Sequence, residues 1–121
     1  MPRVVHFDID AEDVTRAKKF YEKVFYWKFK HWKGATEYWL IETGGEEEPG
    51  INGGLSKREE TNPKVILTIN VPSRDEFAKK IEENGGKILD KMAVPGVGWF
   101  ALCEDTEGNT FGIMEDDEHV K

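Results

Sequence analysis

The sequence predicts an α+β fold made of two tandem βαβββ modules. Three observations carry this. The order strand, helix, three strands occurs twice along 121 residues. Within each copy the apolar pattern switches from alternation to 3- and 4-residue spacing and back, as strands and an amphipathic helix require. Both predicted helices also contain Ala-Lys-Lys at mid-length, at residues 17–19 and 78–80, which are 61 positions apart.

In the first copy VVHFDID, residues 4–10, alternates as a half-buried strand, with Val5, Phe7 and Ile9 on one face and His6 and Asp8 on the other. AEDVTRAKKFYEKVF follows as a helix whose stripe is Val14, Ala17, Phe20, Tyr21, Val24 and Phe25. Asp10 is the expected N-cap, with Glu12 and Asp13 favouring the positive end of the helix dipole. Tyr26 falls where the second copy has Gly85. A left-handed stop there costs a tyrosine roughly 1 kcal/mol or more; the other possibility is that the helix ends differently. FKHW, TEYWLIETGG and GINGGLSKR read as three short strands separated by glycine-containing turns.

The second copy starts with VILTINV, which sets Val65, Leu67, Ile69 and Val71 against Ile66, Thr68 and Asn70. Ser73 is the expected N-cap of RDEFAKKIEEN, and Asn84-Gly85-Gly86 ends that helix. KILDKMAV, VGWFALCED and NTFGIMED follow as strands, with turns at Pro95-Gly96 and Asp105-Thr106-Glu107-Gly108. The expected organisation is one domain over residues 1–121, with modules at about 3–57 and 64–116. A polar link over about 58–63 lies within KREETNPK.

Composition narrows the function classes. Charged residues make up 34% and hydrophobic ones 38%, ordinary for a folded domain with a core of useful size. A net charge of -7 argues against nucleic acid as a partner, because most of the surface would repel phosphates. The single Cys103 excludes an internal disulfide and suits a reducing compartment. No apolar run approaches the ~20 residues of a membrane span, and the N-terminus lacks the pattern of a secretory signal. A cytoplasmic protein with no membrane partner is therefore expected.

Taken in order and spacing, VVHFDI with RAKKFYEKVFYWKF, then GGKIL, PGVGWFA and DTEGNTFGIME, resemble the vicinal oxygen chelate superfamily. That superfamily includes glyoxalase I, extradiol dioxygenases and bleomycin resistance proteins. The likeness spans nearly the whole chain and is greatest to small predicted enzymes related to lactoylglutathione lyase. It implies curved mixed sheets enclosing a cleft, with helices outside, and a homodimer. In metal-dependent relatives, ligands come from the first and last strand of each module. Nickel, zinc or manganese there acts as a Lewis acid on two neighbouring substrate oxygens.

Carried over residue by residue, that pattern is poorly filled. His6 matches the first corner, fifteen residues before Tyr21. The second falls on Asn52, Gly53 or Gly54, depending on register, and none is a carboxylate. The third falls on Ile66 and the fourth on Gly112, four residues after Gly108. Glu115 is the alternative acid, but strand parity sets it with Phe111 and Ile113, away from Gly112 and Met114. Only a bulge would turn it inward. Since a catalytic zinc-type site needs three protein ligands, no cofactor is expected. A divalent metal held by His6 and Glu115 is the alternative.

Without corner side chains the cleft has room for a small organic ligand. Its expected lining is Asn52, Ile66, Thr68, Asn70, Thr110, Gly112 and Met114. Trp39 or its neighbour Tyr38, and Trp99 or Phe100, would add aromatic walls. His6 and Asp8 are the candidate acid–base or orienting pair. His31, His119 and the acidic tip of GGEEEPG read as solvated surface, and Cys103 as inert. The expected function is thus metal-free binding of a small molecule. A metal-dependent lyase or isomerase, and a dimeric interaction module with a vestigial cleft, are the competing readings.

Overall fold

The computed structural model describes residues 2–32, 37–60 and 62–121. The first residue of the TEYWLIETGG segment and Thr61 of the polar link lie outside them. The predicted plan is realised as β1 (Arg3–Ala11), α1 (Val14–Phe25), β2 (Lys28–His31), β3 (Tyr38–Glu42) and β4 (Asn52–Lys57). The second copy is β5 (Val65–Asn70), α2 (Arg74–Glu83), β6 (Lys87–Val94), β7 (Gly98–Glu104) and β8 (Thr110–Asp116). The chain divides into one compact unit over His6–Val65 and another over Ile66–Lys121, which also takes the N-terminal residues up to Val5. Among the described residues no helix is long and apolar enough to cross a membrane.

In the first unit the strands run in the order β2-β3-β4-β1. β1 and β4 are parallel, with His6 opposite Asn52 and Asp8 opposite Gly54. β3 is antiparallel to both β2 and β4. Burial follows strand parity. Ala11, Val14, Ile41 and Leu55 form the core under α1, with Phe7, Ile9, Ala17, Phe29 and Trp39 packed against it. Such a face, removed from water at about 25 cal/mol per Å², is what holds a module this small together.

Helix α1 starts later than its sequence suggests. β1 keeps pairing with β4 as far as Ala11 opposite Lys57, so Asp10 is a strand residue. Asp13 caps the helix instead, its carboxylate accepting from Arg16 N at 3.0 Å. Asp10 ties down the link, accepting from Arg58 Nε at 3.0 Å and from the Lys64 backbone N–H at 3.3 Å. The helix ends on Tyr26, which is left-handed at φ 61° and ψ 27°. That conformation costs a side chain with a Cβ about 1–2 kcal/mol. It sends the chain back so that Trp27 stacks on Tyr21, with centroids 4.9 Å apart and planes 5° from parallel. The helical stripe is only half buried, since Phe20, Val24 and Phe25 remain exposed.

The second unit repeats the design, in the order β5-β8-β7-β6. Val71, Ala101, Cys103 and Ile113 form its core, with Ile69, Phe77, Ile81, Ile88 and Phe111 around them. Ser73 caps α2 as expected, accepting from Glu76 N. Gly85, at φ 93°, reverses the chain so that Gly86 N donates to Ile81 O at 2.9 Å. The Asp-Thr-Glu-Gly turn is held by Asp105, which accepts from Asn109 Nδ2, Asn109 N and Glu107 N. Those bonds, led by Asn109, hold the Asp105 carboxyl below the usual carboxylate range.

Cys103 is fully buried, and burial pushes its thiol up to about 11. The unfolded chain ionises this thiol near pH 8.5. Between about pH 9 and about pH 11 the unfolded state therefore binds fewer protons than the native state, and stability falls as pH rises. Cys103→Ala removes that contribution. Urea midpoints measured at neutral pH and at about pH 10 are expected to converge less in the wild type than in the variant. Equal alkaline losses in the two proteins would refute this origin.

Candidate functional site

On the face of the first sheet opposite α1, β1 presents His6 and Asp8, β4 presents Asn52 and Gly54, and β3 presents Tyr38 and Leu40. Three of these side chains form one polar group. Tyr38 donates its hydroxyl proton to Asp8 Oδ1 at 2.6 Å. His6 Nε2 lies 3.1 Å from that hydroxyl oxygen and 3.3 Å from the same carboxylate oxygen. With Nε2 protonated, His6 donates to the Tyr38 oxygen, which in turn donates to Asp8, giving a directed chain of two bonds.

The group exists because Gly54 has no side chain. A Cβ at Gly54 would fall 1.7 Å from the Tyr38 hydroxyl oxygen, so the ring lies across β4 in the space a side chain would fill. The neighbouring Gly53 points to the other face, where its Cβ would meet the Phe7 backbone oxygen at 2.4 Å and the Phe7 ring at 2.7 Å. The two glycines thus do different work, one for the polar group and one for the β1–β4 pairing.

Electrostatics fix the proton on Tyr38. Burial first, then the Asp8 charge, then the hydrogen bond to Asp8, hold the phenol far above its ordinary range. This favours the neutral phenol, so Tyr38 acts as a hydrogen-bond donor to Asp8. Asp8 and His6 remain reachable, each with 32% of its side chain exposed. Nothing in the sequence pattern singled out Tyr38 over Trp39. The face decides it: Trp39 packs against the core under α1, with Lys18 Nζ 3.5 Å from its ring centroid.

In the second unit, parity places Ile66, Thr68, Asn70, Thr110, Gly112 and Met114 on one face, as the alternation predicted. Thr68 sits opposite Gly112, and a Cβ there would meet the Phe100 ring at 2.5 Å. Phe100, opposite Met114, is thus the aromatic residue of this face. Trp99 lies on the helix side, where Arg74 stands over its ring at 5.5 Å and its Nε1 donates to Asp117 at 3.2 Å. Asn70 Nδ2 donates to Asp116 Oδ2 at 3.0 Å. Glu115 also faces the helix side, its Oε1 accepting from the Arg74 backbone N–H at 2.8 Å.

The residues present do not fit the metal that the superfamily resemblance implies. Asn52 turns its side-chain oxygen to Thr43, accepting from the backbone N–H at 2.9 Å and from Oγ1 at 3.2 Å. That leaves its NH₂, which is no ligand for a cation. Ile66 and Gly112 offer no side-chain donor atom, and the Glu115 carboxylate is engaged by the Arg74 backbone N–H. Among the described residues no three His, Cys, Asp or Glu side chains form a group able to hold a metal ion. A catalytic site of the zinc type requires three.

Comparison with known proteins defines the class. A glyoxylase-like domain-containing protein of Didymella fabae is 36% identical over 114 residues, with 88% of each chain covered. The protein described here belongs to that glyoxylase-like family, within the vicinal oxygen chelate superfamily. No family model matches the sequence. Among solved structures, methylmalonyl-CoA epimerase from Mycobacterium tuberculosis superposes with a TM-score of 0.74 at 13% identity, covering 94% of this chain and 87% of that one. The hypothetical protein BH1468 from Bacillus halodurans C-125 gives 0.76 at 13% identity, covering 99% and 98%. The Streptomyces coelicolor epimerase variant in complex with 2-nitronate-propionyl-CoA gives 0.75 at 14% identity, covering 98% and 97%. These likenesses establish the fold.

Proposed function

We propose that this glyoxylase-like chain binds a small organic ligand against the His6–Asp8–Tyr38 face, without the divalent metal of its metal-dependent relatives. One observation carries the proposal: the Tyr38 hydroxyl donates to Asp8 at 2.6 Å and lies 3.1 Å from His6 Nε2, so the donors of the first corner satisfy one another. In this reading Tyr38 fixes the Asp8 carboxylate, and His6 and Asp8 orient the ligand or move a proton on it. Within the second unit, Ile66, Phe100 and Met114 make a more apolar face. The bond from the Arg74 N–H to Glu115 speaks against the metal-dependent lyase or isomerase reading, which needs that carboxylate beside His6. The buried reduced Cys103 and the habit of the family support a cytoplasmic homodimer.

Native mass spectrometry of the purified protein tests the ligand directly. An organic adduct on the folded chain, absent from folded Asp8→Asn and Tyr38→Phe variants, is the expected result. A bare wild-type chain, whose melting temperature no compound of a small-metabolite panel raises, would overturn the proposal.

A further inference from the structure

Resting on the ligand-binding reading above, we infer that the group recognised at His6 and Asp8 is an organic cation with several N–H donors, such as an amidinium or guanidinium. The hydrogen bonds already made leave a definite remainder. Asp8 Oδ1 accepts from Tyr38 and has His6 Nε2 3.3 Å away, while Asp8 Oδ2 has no hydrogen-bond partner among the described residues. On the imidazole, Nε2 serves the internal group and Nδ1 has no partner among the described residues. With Nε2 protonated, both remaining atoms are acceptors. A group that only donates fits them, and a carboxylate or phosphate does not.

Charge points the same way. Among the described residues no Lys or Arg lies within ion-pair distance of Asp8; its one such contact is His6. The situation two residues along is different, because Asp10 on the same strand is neutralised by Arg58 at 3.0 Å. On the same sheet face Lys30 stands in register with Leu40, Gly54 and Asp8 in turn. That puts it three strands away, about 14 Å, beyond the screening length of roughly 8 Å at physiological salt. A half-buried carboxylate with one free oxygen and no fixed cation is costly unless a partner arrives. The net charge of -7 draws cations toward it over longer range.

The test uses three probes of one shape, benzamidine, benzamide and benzoate, with the His6 ring followed by NMR near neutral pH. Benzamidine is expected to shift the ring signals saturably, benzamide to bind about tenfold more weakly, and benzoate not to bind. Asp8→Asn, its fold checked by its amide spectrum, brings benzamidine to the level of benzamide. Should that variant unfold, wild-type benzamidine binding must weaken from low to high sodium chloride. Benzoate binding as tightly as benzamidine, salt-independent benzamidine binding, an unchanged affinity in Asp8→Asn, or no ring shift with any probe would each overturn the inference. Benzamide or benzoate acting at His6 in place of benzamidine would sink the cation alone and leave the ligand-binding reading standing. That reading fails separately, on a bare chain in the mass spectrum.

Discussion

Gly53→Ala is expected to destabilise the first module by about 3 kcal/mol or more, enough to abolish its cooperative folding in a marginal domain. The new Cβ would stand 2.4 Å from the Phe7 backbone oxygen, and a main-chain atom inside a paired strand has nowhere to go. Relief requires β1 and β4 to separate, and with them the row of partners from His6–Asn52 to Ala11–Lys57. The Phe7 ring, at 2.7 Å from the same position, would also be pushed out of the core under α1. Thermal or urea unfolding followed by near-ultraviolet circular dichroism reads the loss. A variant with a wild-type melting temperature would show that the strands are not packed as described.

One residue further along, the same substitution should have a different consequence. In Gly54→Ala the added methyl overlaps the Tyr38 hydroxyl, the far end of a rotatable side chain. Tyr38 can swing aside at a cost of about 1–2 kcal/mol for the off-rotamer ring and lost packing. The fold therefore survives while Asp8 loses its 2.6 Å donor and His6 its phenol partner. The freed phenol titrates nearer its ordinary range, because both the burial and the Asp8 contact that raised it are gone. Ultraviolet pH titration of the variant should show one additional tyrosine ionising below the unfolding transition. An unchanged tyrosine titration, with ligand retention equal to wild type, would mean that Gly54 does not seat the ring.

Much of this was legible in the sequence, and the reasons are physical. Alternation fixes which residues of a strand share a face once the buried set is clear. Ile66, Thr68, Asn70, Gly112 and Met114 therefore fell on one side and Glu115 on the other without any coordinates. Ser73 and Gly85 were readable because a cap and a left-handed stop each need a specific side-chain chemistry or none at all. Where both neighbours in a strand are aromatic, alternation alone does not say which one faces the core. Trp39 against Tyr38, and Trp99 against Phe100, were settled by core packing at Ile41 and Ala101. In both pairs the tryptophan took the helix side, where a cation from the helix region stands over its ring.

Other features lay out of reach for lack of a local signal. Asp10 and Asp13 are equally good caps by residue type, and the choice turned on pairing between β1 and β4 far apart in sequence. The Tyr38–Asp8 bond spans 30 residues and depends on an empty position at Gly54. A glycine in a strand announces only that something comes close; what comes close is tertiary information. Tyr26 shows the same limit. The repeat, with Gly85 at the matching stop, left an αL conformation as one of two open possibilities there, and the local sequence did not choose between them.

His6, Asp8 and Tyr38 are committed to one another, and among the described residues no further carboxylate joins them to complete a metal site. Equilibrium dialysis of the purified chain against nickel, zinc and manganese measures this most directly. The prediction is less than stoichiometric uptake of each ion, unaltered by His6→Ala. One tightly held ion per chain, released by His6→Ala, would contradict it.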